Sequence, residues 1–219
     1  MNREELLKTA KPILFNTDMV RAILESRKVV TRRLLKPQPK TIYYDGKVYD
    51  DDGLYVIAEK QNGGVEQIEL PYRPNDILYV RETWYYETFY EDTDNLPDLP
   101  SGNRSWRYVY KADNQDYPVI PGHWHPSIHM PREAARIFLC VKDVSVGRIQ
   151  SMLPCDIQKE GCPYIYSSFD EEQVPDWFGW MKNVWDSTIK SANRAVYGWD
   201  ANPWVWVIEF EKIEVSDNA

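Results

Sequence analysis

Cysteine is scarce in this chain of 219 residues: Cys140, Cys155 and Cys162 are all there are. They show no metal-ligand spacing and form no even disulfide set, which suits a reducing cytoplasm. Long apolar runs are missing too. None approaches the length that crosses a bilayer, and the opening MNREELLKTAKP has no apolar signal core. The expectation is a cytoplasmic protein with no membrane partner. Histidine is equally rare, and His123, His125 and His129 fall within one short stretch. Two prolines in that segment, Pro126 and Pro131, and the lack of a nearby cysteine argue against zinc there, so no metal and no cofactor are expected. Positive charge is the last shortage. With 26 Lys and Arg against 34 Asp and Glu, the formal charge is −8. That argues against general binding to duplex DNA, which is mostly phosphate neutralisation, but leaves room for a local basic groove.

Apolar side chains make up 43% of the residues and aromatics 14%, which excludes a disordered chain. The length fits one domain, residues 1–219, with a substantial core. Nine Trp and fifteen Tyr suit aromatic sheet faces; some can instead stack on bases, since every base offers a π-face. No internal repeat or low-complexity segment is present.

The most informative stretch is Phe15 to Lys40. Asn16 or Thr17 caps a short amphipathic helix carrying Met19, Val20, Ile23 and Leu24 at helical spacing. Ser26-Arg27-Lys28 ends it, and Val29 to Leu35 leaves as a strand until Pro37 and Pro39. Between Arg21 and Lys40, Arg21, Arg27, Lys28, Arg32, Arg33, Lys36 and Lys40 gather against the single acid Glu25. An acidic chain has concentrated its cations at one helix-to-strand turn.

The remaining elements are coarser. A leading helix REELLKTA precedes an extended KPILF. Tyr43 to Tyr49 reads as a hairpin with an Asp45-Gly46 turn, followed by turns near Asp50–Gly53 and Asn62–Gly64. Asp76 to Glu87 is a strand with Leu78, Val80, Glu82 and Trp84 on one face. Residues 91–104 form a solvated acidic loop, and 106–113 return as a strand. Ile137 to Val146 is an apolar strand, and Met152 to Gly161 a short helix with Glu160 against its dipole. Asp170 to Asp176 is an acidic connection. Trp177 to Ala192 is a helix burying Phe178, Met181, Trp185 and Ile189. The closing strand has Trp204, Trp206, Ile208 and Phe210 on one face and Val205 and Val207 on the other, so both faces are covered.

Lys28-x-x-Thr31-x-Arg33 resembles the G-x-K-x-x-T-x-R signature of the ASCH domain, with Ser26 in place of the glycine. Pro74 to Glu82 resembles that family's GD-x-L-x-V-R-E strand, with Asn75 in place of its glycine. Asp156 to Gly161 resembles its short helix ending in Glu-Gly, and Asn202 to Phe210 its closing W-V-x-x-F strand. The segment from Trp124 to Arg132 is similar to one in long phage-type members. The resemblance implies an α+β protein built on a PUA-like β-barrel flanked by helices, with insertions near 41–70 and 86–112.

Some ASCH proteins are amidohydrolases that deacetylate acetylcytidine, and their Lys, Thr and Glu match Lys28, Thr31 and Glu160. Others are associated with ribonuclease activity or with nucleic-acid binding alone. The resemblance therefore implies RNA, single-stranded nucleic acid or a modified nucleoside as partner, in a basic pocket. Lys28, Thr31 and Glu160 are the candidate catalytic residues. Arg27, Arg32, Arg33, Glu82, Trp84, Ser127, His129 and Arg132 are the candidate substrate-binding residues, with Tyr79 and Trp124 as further stacking faces. Chemically, Thr31 needs a base, and a lysine serves when burial and cationic neighbours depress its pKa. Lys28 and Thr31 converge only if the turn is tight, since their odd separation on a regular strand opposes them. The plainer alternative has Lys28 and Arg33 as ion-pair partners of Glu82 or Glu160.

Overall fold

The structure is a computed structural model that describes residues 2–43, 48–50, 53–90, 104–113, 124–163 and 176–215. The chain opens with α1 (Arg3–Thr9) and β1 (Lys11–Leu14), then α2 (Thr17–Leu24) and β2 (Val30–Leu34). Next come β3 (Thr41–Ile42), β4 (Val48–Asp50), β5 (Gly53–Glu59) and β6 (Val65–Glu69). They are followed by β7 (Ile77–Arg81), β8 (Trp84–Tyr90), β9 (Arg104–Tyr110) and β10 (Phe138–Arg148). Helices α3 (Pro154–Lys159), α4 (Trp177–Thr188) and α5 (Arg194–Tyr197) lead to β11 (Trp204–Ile213). The chain is an α+β protein, and among the described residues no helix is long and apolar enough to cross a membrane.

The central sheet has five strands in the order β1-β7-β10-β11-β2. Its core is the β10–β11 pair, which runs from Phe138 opposite Ile213 to Arg148 opposite Trp204. Val205, Ile208 and Phe210 are all nearly inaccessible, and the two faces of β11 enter two different cores. Trp206, Ile208 and Phe210 meet Val20 and Ile23 of α2, together with Ile42, Val56 and Ala58 of the second sheet. Val205 meets Met181 and Trp185 of α4 on the other side. The two-faced apolar pattern of this strand is thus satisfied from both sides.

The sheet is not a closed barrel. Among the described residues β1 and β2 are its edges, and no backbone pairing joins them. One side chain does span the gap: Arg33 on β2 donates from Nη2 to the Leu14 carbonyl of β1 at 2.6 Å.

Three local expectations change. The strand expected over Asp76 to Glu87 is broken at Glu82 and Thr83 into β7 and β8, which belong to different sheets. The turn expected at Asp45-Gly46 lies outside the described residues; β3 and β4 both pair antiparallel along the same edge of β5, with Asp50 opposite Gly53. Phe178 does not join the core stripe. It is 44% exposed, and Trp177, at 6%, takes the inward position. The helix also stops at Thr188, because Ile189 turns extended to enter the core. The segments read as acidic loops, 91–103 and 170–175, lie outside the described residues, as does His123.

Candidate functional site

The site begins with how two helices stop. Helix α2 is capped by the Asn16 side chain, which accepts from Met19 N at 2.9 Å. It ends in a Schellman motif: Ser26 N donates to Ile23 O at 3.0 Å, Arg27 N to Ala22 O at 2.8 Å, and Ser26 is left-handed at φ 58°. Helix α3 ends the same way. Gly161 N donates to Gln158 O, Cys162 N to Ile157 O, and Gly161 has φ +95°. The two ends are laid against each other. A Cβ on Gly161 would sit 2.7 Å from Ala22 Cβ and 3.1 Å from Lys28 Cβ, so only glycine fits both the conformation and the contact. This arrangement delivers Lys28 to Glu160 through a single antiparallel bridge.

Both groups are buried. Lys28 is 1% exposed and Glu160 5%. Lys28 Nζ donates to Glu160 Oε2 at 2.6 Å and to the Glu160 carbonyl at 3.0 Å. Arg32 Nη1 donates to the other carboxylate oxygen, Oε1, at 2.9 Å. Burial pushes the Lys28 ammonium below its ordinary pKa; Glu160 opposes that, while Arg33 and Arg32 add to it. The acid at the helix C-terminus is therefore offset by two cations.

Thr31, 2% exposed, lines a cleft of about 260 Å³ together with Arg32, Arg33 and Glu160. Its apolar wall comes from Met181 and Trp185 of α4 and from Ile189 just after it, and Asn16 also lines it. Lys28 and Thr31 thus meet at Glu160: one is bonded to it, and the other shares its cleft. A neighbouring cleft of about 520 Å³ between α2 and α4 also reaches Glu160 and includes Arg27 and Trp180. Arg27 donates to Glu25 at 2.7 Å and to the Gly161 carbonyl.

The other predicted residues form two separate groups. Glu82, 1% exposed, lines neither cleft. Arg136 grips both its oxygens, at 2.9 and 3.1 Å, and continues to Asp113. Burial raises the Glu82 carboxyl above its ordinary range, against the pull of Arg136. Arg132 lies over the Tyr79 ring and donates to the Leu7 and Ala10 carbonyls, so it ties down the end of α1. Ser127 and His129 lie on the turn between them; His129 is exposed, and Arg81 holds this turn through the Ile128 carbonyl. Trp84 is buried against Tyr108 and His125, and with Tyr86 and Trp106 lines an aromatic hollow on the β8–β9 hairpin. Trp124 contacts Tyr85 edge-on at 6.4 Å.

Sequence reasoning missed Arg136 and the α4 wall. A glutamate on the apolar face of β7 demands a buried cation, and Arg136, just before an apolar strand, was the nearest arginine in that position. The α4 residues carry no polar signal of a site, since Met181 and Trp185 read as core. No family model, no characterised protein and no solved structure matches this chain.

Proposed function

We propose that this is a PUA-like, ASCH-type protein whose Lys28–Thr31–Glu160 cleft receives a base of RNA, of another single-stranded nucleic acid or of a modified nucleoside, and hydrolyses an amide on it. The observation that carries this reading is Lys28. A lysine with no solvent access, bonded to a carboxylate that shares a cleft with a threonine, is costly to the fold and suited to chemistry.

In its unprotonated form Lys28 takes the Thr31 hydroxyl proton as Oγ1 bonds to the acyl carbon. The proton passes to the leaving amine as the C–N bond breaks. Water then cleaves the Thr31 ester, releasing the acid and restoring the hydroxyl. Glu160 holds Lys28 in place on one oxygen and Arg32 on the other. The apolar wall of Met181 and Trp185 offers a face to a planar base.

Two backbone observations support the family reading. Ser26 and Asn75, which stand where the ASCH pattern has glycine, both adopt left-handed φ, 58° and 71°. The Arg33–Leu14 bond between the sheet edges supports the barrel reading.

The test is incubation with acetylcytidine and with mixed single-stranded RNA, with and without manganese, followed by mass-resolved chromatography. Deacetylation that disappears in Thr31→Ala and Lys28→Ala is expected. RNA shortening without deacetylation would move the assignment to a nuclease. If both substrates survive unchanged, the catalytic roles are wrong and the cleft only binds.

A further inference from the structure

The charges around the smaller cleft do not balance. Arg32 and Arg33 line it beside a single carboxylate, Glu160, to which Lys28 is bonded from outside the lining. Glu160 is occupied by Lys28 on one oxygen and Arg32 on the other. Arg33 therefore has no acidic partner among the described residues. Its Nη2 is bonded to a neutral carbonyl, Leu14 O, and its guanidinium lies 4.9 Å above the Phe15 ring. Its Nε is buried without a hydrogen-bond partner. An unmatched donor on a desolvated cation is a cost that an incoming anion relieves.

The neighbouring cleft shows the opposite pattern. Arg21 pairs with Asp18 and Arg27 with Glu25, so its cations already have acids. The excess positive charge is confined to the side where Thr31 stands. An uncharged nucleoside would leave it uncompensated.

We infer that Arg33 is the anchor of an anion subsite in the Thr31 cleft, and that the ligand carries a phosphate group beside its base. This deepens the function proposed above and rests on that cleft being its ligand site. A planar guanidinium suits phosphate because it donates two parallel bonds, and the Phe15 stack fixes its plane. Burial also lowers the Arg33 pKa from its ordinary value, against the pull of Tyr72 and Glu160. The phosphate comes either from a mononucleotide or from the backbone of an RNA strand. The chemistry of recognition is the same for both.

The test is calorimetric titration of the whole protein at low salt with cytidine, cytidine monophosphate, a trinucleotide RNA and inorganic pyrophosphate. Phosphorylated ligands should bind roughly tenfold to a hundredfold more tightly than cytidine, as expected for a charge-assisted bond. Arg33→Gln should erase that preference, while Arg33→Lys should keep part of it. Trinucleotide favoured over monophosphate identifies a strand backbone; equal affinity identifies a mononucleotide.

Equal binding of cytidine and its monophosphate by the native protein would overturn the inference. So would a preference that survives Arg33→Gln. Pyrophosphate separates the two readings. If it binds in an Arg33-dependent way and no nucleoside binds, the anion subsite stands and the nucleoside function falls. If it fails to bind along with the rest, the subsite falls too. Thermal melts of both variants establish that they are folded.

Discussion

Glu160 and Glu82 are the two buried carboxylates of the described residues, and each is gripped by an arginine; the likeness ends there. Glu82 receives both its bonds from Arg136, and Arg136 turns its remaining donors to Asp113. Tyr110 closes the group by stacking on that guanidinium at 3.9 Å. Both oxygens of Glu82 are matched, acids outnumber bases, and neither cleft beside Glu160 reaches the group. Around Glu160 the bases outnumber the acid, a hydroxyl sits alongside, and the group faces empty space. A buried ion pair alone does not mark a site. A surplus of one charge sign next to a cavity does.

The comparison can be broken most sharply through turnover. Thr31→Ala and Lys28→Ala should each lower acetylcytidine hydrolysis by about 10²–10⁴-fold, the range for loss of a positioned proton acceptor or its nucleophile. Arg136→Lys should leave turnover close to native. Equal losses in both groups would erase the distinction between them.

Stability should respond in the opposite sense. Glu82→Gln removes the buried partner of Arg136, which keeps Asp113, and should cost about 2–4 kcal/mol in urea denaturation, with ligand affinity retained. Gly161→Ala should come next, at about 1–3 kcal/mol, because it combines a left-handed backbone with a contact against Ala22. Unlike Glu82→Gln, it should also reduce turnover, since the added methyl presses on Lys28.

The pH profiles of stability should have contrary slopes. Lys28 is lowered from 10.5 in the fold, so its contribution is present above that pH and is lost as pH falls towards the lowered value. Glu82 is raised from 4.5, so its contribution is present below that pH and is lost as pH rises through the folded value. Denaturant titrations of Lys28→Met and Glu82→Gln should each flatten one limb and spare the other. The smallest effect should be at Phe178, where Ser should change stability by no more than about 0.5 kcal/mol. Met181→Ala, three residues on, should cost about 2–5 kcal/mol.

Much of this was legible in the sequence where local chemistry decides. Asn16 capped its helix, β11 was apolar on both faces, and the change of pattern at Lys28 did mark a tight turn. Phe178 misled because Trp177 and Phe178 are adjacent apolar residues, and only the direction of the neighbouring strand chooses between them. The strand read over Asp76 to Glu87 misled because its alternation runs on without a turn residue, whereas sheet pairing divides it at Glu82 and Thr83. The site was half legible. Lys28, Thr31 and Glu160 came from a motif, but Glu82 was assigned to them by character rather than place. Which cation a buried acid takes is a long-range choice, and residue type does not encode it.

The bond from Lys28 to Glu160 joins residues 132 positions apart, and that from Arg32 spans 128. A chain that ends before Glu160 cannot make this contact, and closing so long a loop carries an entropic cost. Until it closes, Lys28 is an ordinary hydrated lysine. On the function proposed above, chemistry is thereby withheld from every form of the chain in which the contact is open.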